Sequence, residues 1–348
     1  MPKRINNIYY DAIKFEKFKS AYERTTVRKK TSYDRIKFGM YLEDNIYSIG
    51  TKLKNGTYEV AKYKSFKVYE PKERDIFCLN FGDRVVHQWY VHEYIIPYMI
   101  PKFIKDSYAC IKGRGVHIAV DNLQKYMRIA KRIWKSPYIL KFDISKFFYS
   151  IDQEILYNIV KKYYKDKQFL ELTKKFIIFD KEKENITEFG KGIPIGNYTS
   201  QFFANMYMNE LDQYIKRELK VKYYVRYMDD GVMILENKEQ AKKIFKLVEK
   251  FANEKLELKF NKKSSYMPIK DGVVFCGYKI YTTHKLLKRN NIIRMKKRIR
   301  TWNKSWMLKN YDFKKWRASF SAWRGYANHA STYNLCKSLE KQCEWITE

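Results

Sequence analysis

Two adjacent carboxylates, Asp229 and Asp230, stand in the middle of a largely apolar stretch, KYYVRYMDDGVMILE (222–236). The flanking runs are rich in Tyr, Val, Met and Ile and read as two strands meeting at Asp229-Asp230-Gly231. Asp-Gly between two such runs is, on its own, an ordinary type I′ turn signal. A turn needs one such acid at most, however. A second carboxylate at the tip adds repulsion that is costly unless a cation sits there. Hard carboxylate oxygens suit Mg²⁺.

A third acid belongs with them. The segment YILKFDISKFFYSID (138–152) reads as a buried strand delivering Asp143, then a helix that Ser150 would cap, with Gln153 completing a capping box. Asp143, Asp229 and Asp230 are then enough for a two-metal site. In such a site two ions about 3.5–4 Å apart clamp the attacking and leaving oxygens of an in-line phosphoryl displacement. Between the two acidic segments, KGIPIGNYTSQFFANMYMNELDQYIKRE (191–218) is a Pro/Gly loop entering a long helix with Phe202, Met206, Tyr207, Leu211 and Tyr214 along one side.

The charge balance points to an anionic polymer. In 348 residues, 71 Lys and Arg face 38 Asp and Glu, a net +33, while 45% hydrophobic residues suffice for a core. A nucleic-acid duplex, with one negative charge per roughly 1.7 Å of axis, is the leading candidate partner, and an anionic membrane surface the lesser one. The most apolar stretch, Val85 to Ile100, is broken by His87, Gln88, His92 and Glu93, so no membrane span is expected. The first residues, MPKRINNIYYDAIKFEKF, carry no apolar signal core. Five scattered cysteines without CxxC spacing fit a reducing cytoplasm. The five histidines show no metal-ligand spacing and are expected to be structural.

Elsewhere, residues 1 to about 70 show basic clusters such as Arg28-Lys29-Lys30 and helical spacing at Met40, Leu42, Ile46 and Ile49. FKVYEPKERDIFCL (66–79) predicts two short strands around Pro71, and DRVVHQWYVHEYIIPYM predicts a helix. Gly113 and Gly115 flank Arg114, a place where backbone can approach a phosphate. Residues 238–256 predict an amphipathic helix, VVFCGYKI (273–280) predicts strands, and a basic helical tail begins near Leu287. Its Trp302, Trp306, Trp316 and Trp323 are expected to be largely core.

In this order and spacing, FDISKFF (142–148), GIPIGNYTSQ (192–201), YMDD (227–230) and FCGYKI (275–280) resemble a reverse transcriptase palm. PKERDIF and DRVVHQ resemble fingers motifs, SYACIKGRGVH the motif after them, and SAWRGYANHASTYNL a thumb. IGNYTSQ in place of the usual Gln-Gly-containing loop is similar to diversity-generating retroelement enzymes. The resemblance implies an α+β right-hand fold. Its parts would be an N-terminal helical region (1–65), fingers (66–137), a palm of antiparallel sheet on helices (138–284, with a fingers/palm connection at 150–190) and a helical thumb (285–348).

It also implies roles. Asp143, Asp229 and Asp230 would bind two Mg²⁺ ions. Lys146 and Phe147 would offer backbone amides to an incoming deoxynucleoside triphosphate, Phe148 would exclude a 2′-hydroxyl, and Lys72 and Arg74 would hold phosphates. Lys263 would protonate the pyrophosphate, with Lys262 as its close rival. Ile195 and Gly196 would line the nucleotide site. Ile195 stands where the usual enzyme has a Gln, so an error-prone polymerase with misincorporation opposite template adenines is expected.

Implied partners are a template-repeat RNA, the RNA/cDNA duplex and a small basic multimeric accessory protein. With no RNase H-like acidic cluster after Asp230, the RNA template is expected to survive or to be removed by another protein. Rival readings are a group II intron, retron or phage-defence enzyme, or a polymerase-shaped RNA-binding module without catalysis. Against the first two, little chain remains beyond the thumb for a maturation or endonuclease domain, and the thumb lacks the Val-Thr-Gly tripeptide expected of a retron enzyme.

Overall fold

The computed structural model describes residues 4–27, 31–69, 73–180, 188–308 and 312–346. Lys72, Pro71 and the Arg28-Lys29-Lys30 cluster lie outside them. The described residues form nine strands: β1 Lys64–Val68, β2 Arg74–Cys78, β3 Tyr138–Asp143, β4 Tyr223–Tyr227, β5 Asp230–Leu235, β6 Ser265–Pro268, β7 Val273–Phe275, β8 Tyr278–Ile280 and β9 Lys285–Leu287. All pairings between them are antiparallel, and helices make up most of the remainder, an α+β architecture.

The chain divides into two compact units that alternate along the sequence. One comprises Met1–Ile111, Ile144–Lys220 and Leu247–Asn261; the other comprises Lys112–Asp143, Val221–Lys246 and Lys262–Glu348. Residues 138–284 are thus divided between the two.

The first unit is built on buried aromatics. Phe18 of helix Phe15–Thr26 stacks on Trp89 of helix Phe81–Tyr90 at 4.7 Å, and Tyr90 stacks on Phe169 at 5.4 Å. Their polar atoms are satisfied: Trp89 Nε1 donates to the Ala12 carbonyl at 2.8 Å, and Tyr164 Oη to that of Tyr94 at 2.6 Å. Helical pattern across DRVVHQWYVHEYIIPYM is borne out, with a π-helical turn at Val91–Ile95 inserted in it. The two expected strands are present as β1 and β2, paired antiparallel.

One local expectation fails. Ser150 does not cap the helix after Asp143. The chain makes a four-residue helix, Phe147–Ser150, breaks at Ile151, and starts again at Gln153–Tyr163 with Asp152 Oδ1 accepting from the Ile155 amide at 2.9 Å. Ser150 Oγ turns back onto the Ser145 carbonyl, and Gln153 Nε2 donates to the Phe179 and Gly192 carbonyls.

In the second unit, a four-stranded sheet of order β4-β5-β3-β6 packs its β4 side on helix Val116–Ile133, where Tyr126 meets Tyr223 at 5.3 Å. A second sheet has the order β7-β8-β9. Its β7–β8 turn uses Cys276 and Gly277, both left-handed (φ +48° and +85°), the requirement of a type I′ turn. The tail folds into helices Arg289–Met307, Phe313–Ala327 and Tyr333–Glu340 around a core of Met295, Ile299, Trp316, Phe320, Leu339 and Trp345. Trp302, Trp306 and Trp323 pack against that core, partly buried. Tyr326 Oη donates to the Cys276 carbonyl at 2.8 Å, tying tail to hairpin.

Candidate active site

β3 is the central strand of its sheet, hydrogen-bonded to β5 on one side and β6 on the other. Side chains alternate along a strand, so Asp143 and Lys141 share one face while Phe142 takes the other. In the β3–β5 register Asp143 lies directly opposite Asp230, Phe142 opposite Gly231 and Lys141 opposite Val232. Opposed residues share a face, which brings Asp143, Asp230 and Lys141 together.

The turn differs from the one predicted. It is Met228-Asp229, with Met228 left-handed at φ +55°; Asp230 is already the first residue of β5, opposite Tyr227. Gly231 is therefore a strand residue and not a turn glycine. A Cβ there would stand 2.2 Å from Phe142 Cζ, so the ring of the opposed residue occupies the space that a side chain would need. Arg226, wholly buried on β4, donates to the Met228 carbonyl at 2.8 Å and fixes the turn from below.

Lys141 Nζ donates to Asp230 Oδ2 at 2.9 Å and to the Val274 carbonyl at 2.6 Å. Asp230 Oδ1 is buried and has no hydrogen-bond partner. Burial pushes the Asp230 carboxyl up to about 6; Lys141 pulls it down, while Asp143 and Asp229 push it further up. Ser264 Oγ accepts from the Asp143 amide at 3.1 Å, which ties the loop carrying Lys262 and Lys263 to the end of β3. Both lysines are exposed in the turn before β6. Sequence reasoning missed Ser264, Lys141 and Arg226, for no local pattern marks them.

Among the described residues, no three His, Cys, Asp or Glu side chains converge in metal-holding geometry. The donor set nevertheless fits a hard divalent cation: all oxygen, with one buried carboxylate oxygen lacking any partner.

The remaining predicted residues lie in the first unit. Lys146 is left-handed (φ +48°) and precedes the short helix that carries Phe147, which is buried, and Phe148, which is half-buried. The Phe148 carbonyl accepts from the Ile193 amide at 2.9 Å, and the Phe77 amide of β2 donates to the Ile195 carbonyl at 2.8 Å. The loop 192–197 is thereby held between the Phe148 segment and β2. Gly196 requires its glycine: φ is +120°, and a Cβ would meet the Phe77 carbonyl oxygen at 2.8 Å. Ile195 is half-buried and Gly196 exposed. Arg74 begins β2 and is exposed.

At the helix start that follows, Asn197 Nδ2 donates to Tyr63 Oη, and Thr199 Oγ1 pairs with Nδ1 of the fully buried His87 at 2.8 Å. Burial drives the His87 pKa down to about 3, so it braces the loop as a neutral ring. That role is structural, as expected of it.

Residues 62–280, well over half the chain, match the sequence model of the family described as reverse transcriptase (RNA-dependent DNA polymerase). The chain belongs to that family of RNA-directed DNA polymerases. Its mixed helices and antiparallel sheets are those of an α+β polymerase fold. It is also similar to the putative COX1/OXI3 intron 2 protein of Saccharomyces cerevisiae, at 22% identity over 46% of this chain and 26% of that protein. The chain therefore spans about a quarter of that relative's length. No helix among the described residues is long and apolar enough to cross a membrane.

Proposed function

We propose that this chain is the reverse transcriptase of a diversity-generating retroelement, copying a template-repeat RNA into error-prone cDNA. The observation that carries the polymerase reading is the register of Asp143 opposite Asp230, beside the Met228-Asp229 turn, with Asp230 Oδ1 buried and unpartnered. Asp143, Asp229 and Asp230 would hold two Mg²⁺ ions, which when bound supply charge neutralisation for an in-line displacement at the α-phosphate. The primer 3′-oxygen forms the new bond to that phosphorus as its own proton passes to solvent and the bond to pyrophosphate breaks. Lys263, on the loop pinned by Ser264, gives the proton to the leaving pyrophosphate.

Lys72 and Arg74 neutralise the triphosphate, and the backbone at Lys146 and Phe147 receives it. The half-buried Phe148 ring excludes a 2′-hydroxyl by clash. Ile195 and Gly196 face the nucleotide from a loop whose backbone is fixed at both ends. An aliphatic Ile195 makes no hydrogen bond to the nucleotide, and fidelity falls tenfold for each ~1.4 kcal/mol of lost discrimination. The net charge of +33 suits the RNA and the RNA/cDNA duplex, and a basic multimeric accessory protein completes the assembly.

The test is extension of a primer on an adenine-containing RNA with all four deoxynucleotides, followed by cDNA sequencing. Errors concentrate opposite adenine and fall in Ile195→Gln. A second reading, a reverse transcriptase of another class, has the name of the yeast relative, an intron protein, in its favour. Accurate cDNA from the wild-type chain selects that reading.

A further inference from the structure

Lys141 is an unusual lysine. Its side chain is only 21% exposed, and it stands two residues before Asp143 on the central strand, on the same face as Asp143 and Asp230. A lysine withdrawn from water needs acceptors, and this one has a carboxylate oxygen at 2.9 Å and a carbonyl oxygen at 2.6 Å. The carbonyl belongs to Val274 of β7, in the second sheet, so the ammonium is held in place from a strand other than those that carry the acids. A freely rotating surface lysine has no such anchor.

The charge balance around it is unequal. Asp143, Asp229 and Asp230 bring three carboxylates to one end of the sheet, and Lys141 sets a single ammonium against them on that face. Only one Asp230 oxygen is used by the ammonium; the other is buried without a hydrogen-bond partner. A purely structural ion pair would be expected to satisfy both oxygens, because an unsatisfied buried acceptor costs free energy without return. The residual charge and the vacant lone pairs both match a divalent cation.

We propose that Lys141 is the built-in counter-ion of the carboxylate site, a positioning residue whose ammonium occupies Asp230 until a divalent cation displaces it and so sets how tightly that cation is taken up. This rests on the reading of Asp143, Asp229 and Asp230 as a divalent-cation site. Lys141 keeps the mutually repelling acids together without metal and releases Asp230 Oδ2 when the cation arrives. Anchoring by Val274 leaves the displaced ammonium an acceptor beside the site.

The test is Mn²⁺ binding to the purified full chain, without RNA or deoxynucleotide, followed by electron paramagnetic resonance. Lys141→Met removes the competing charge; Lys141→Gln also removes it but keeps a donor for the Val274 carbonyl, and Lys141→Arg keeps the charge. Both neutral variants bind Mn²⁺ about tenfold or more tightly than the wild type, Lys141→Arg binds as the wild type does, and Asp230→Asn weakens binding in every background. Neutral variants with native far-UV circular dichroism and unchanged or weaker Mn²⁺ affinity, while Asp230→Asn still weakens binding, overturn the role of Lys141 and leave the cation site standing. Mn²⁺ binding indifferent to Asp230→Asn in both wild type and Lys141→Met overturns the cation site and, with it, the counter-ion.

Discussion

Gly231→Ala should be one of the most damaging methyl additions in the protein. Gly231 lies outside the left-handed region, so its backbone accepts alanine; the obstacle is the Phe142 ring across the β3–β5 pair. The new Cβ would meet Cζ at 2.2 Å, Cε1 at 2.4 Å and Cε2 at 2.9 Å, against an ordinary carbon contact of about 3.5–4.0 Å. The ring must retreat by more than about 1 Å, yet Phe142 is wholly buried and stacks near Tyr224 at 6.3 Å. Overpacking of this kind costs about 1–3 kcal/mol, and the lack of room places it near 3. Phe142→Leu removes ring volume at about 1–2 kcal/mol, below the ~3–5 of full truncation to alanine. In that background the added methyl group fills vacated space, so the double variant should be less destabilised than the sum by about 2 kcal/mol. Denaturant unfolding of the four proteins, followed by circular dichroism, measures the coupling. Additivity within about 0.5 kcal/mol, or a Gly231→Ala cost below that, refutes the steric reasoning.

Other expectations follow from single groups. Burial raises the Asp230 carboxyl from 3.8 to about 6, so the folded state favours its protonated form; that stabilisation is complete below about pH 4 and is lost as pH rises through about 6. At 1.36 kcal/mol per unit, metal-free wild type should lose about 2–3 kcal/mol relative to Asp230→Asn between pH 4 and 7.5, and a stability difference flat across that range in chelator contradicts the assignment. Asp152→Ala should destabilise by about 1 kcal/mol by uncapping helix Gln153–Tyr163, whereas Ser150→Ala should cost less; equal losses in thermal unfolding would mean the cap is misassigned. Gly196→Ala, with φ +120° and the Phe77 carbonyl 2.8 Å from its Cβ, should raise KM for deoxynucleotide before it affects RNA binding, and an unchanged KM argues against the loop's contact with the nucleotide.

The sequence carries its local order well. The apolar run before Asp143 marks the strand that ends there, 3.6-residue spacing marks the helix 238–256, and the paired apolar runs around YMDD mark β4 and β5. Where it misleads, a local signal competes with a distant neighbour. Asp-Gly reads as a turn, but the Phe142 ring, 89 residues earlier, is what requires Gly231. Ser150 and Gln153 fit a capping box, but the Phe179 and Gly192 carbonyls claim Gln153. Lys141 reads as one more of the chain's 71 Lys and Arg residues, since its acceptors come from residues 230 and 274. The alternation of the two compact units is invisible for the same reason, because periodicity reports neighbours within a few positions and not which segments fold together.

The polymerase reading requires that the Met228-Asp229 turn be chemistry and not only architecture. The decisive measurement is RNA-templated DNA synthesis by wild type and Asp229→Ala, with RNA affinity measured on the same preparations. Synthesis by the wild type, its loss in Asp229→Ala and RNA binding retained within about threefold are the predicted results. RNA binding by both proteins with no DNA product from either, in the presence of Mg²⁺ and cognate RNA, would contradict it and leave an RNA-binding module built on a polymerase fold.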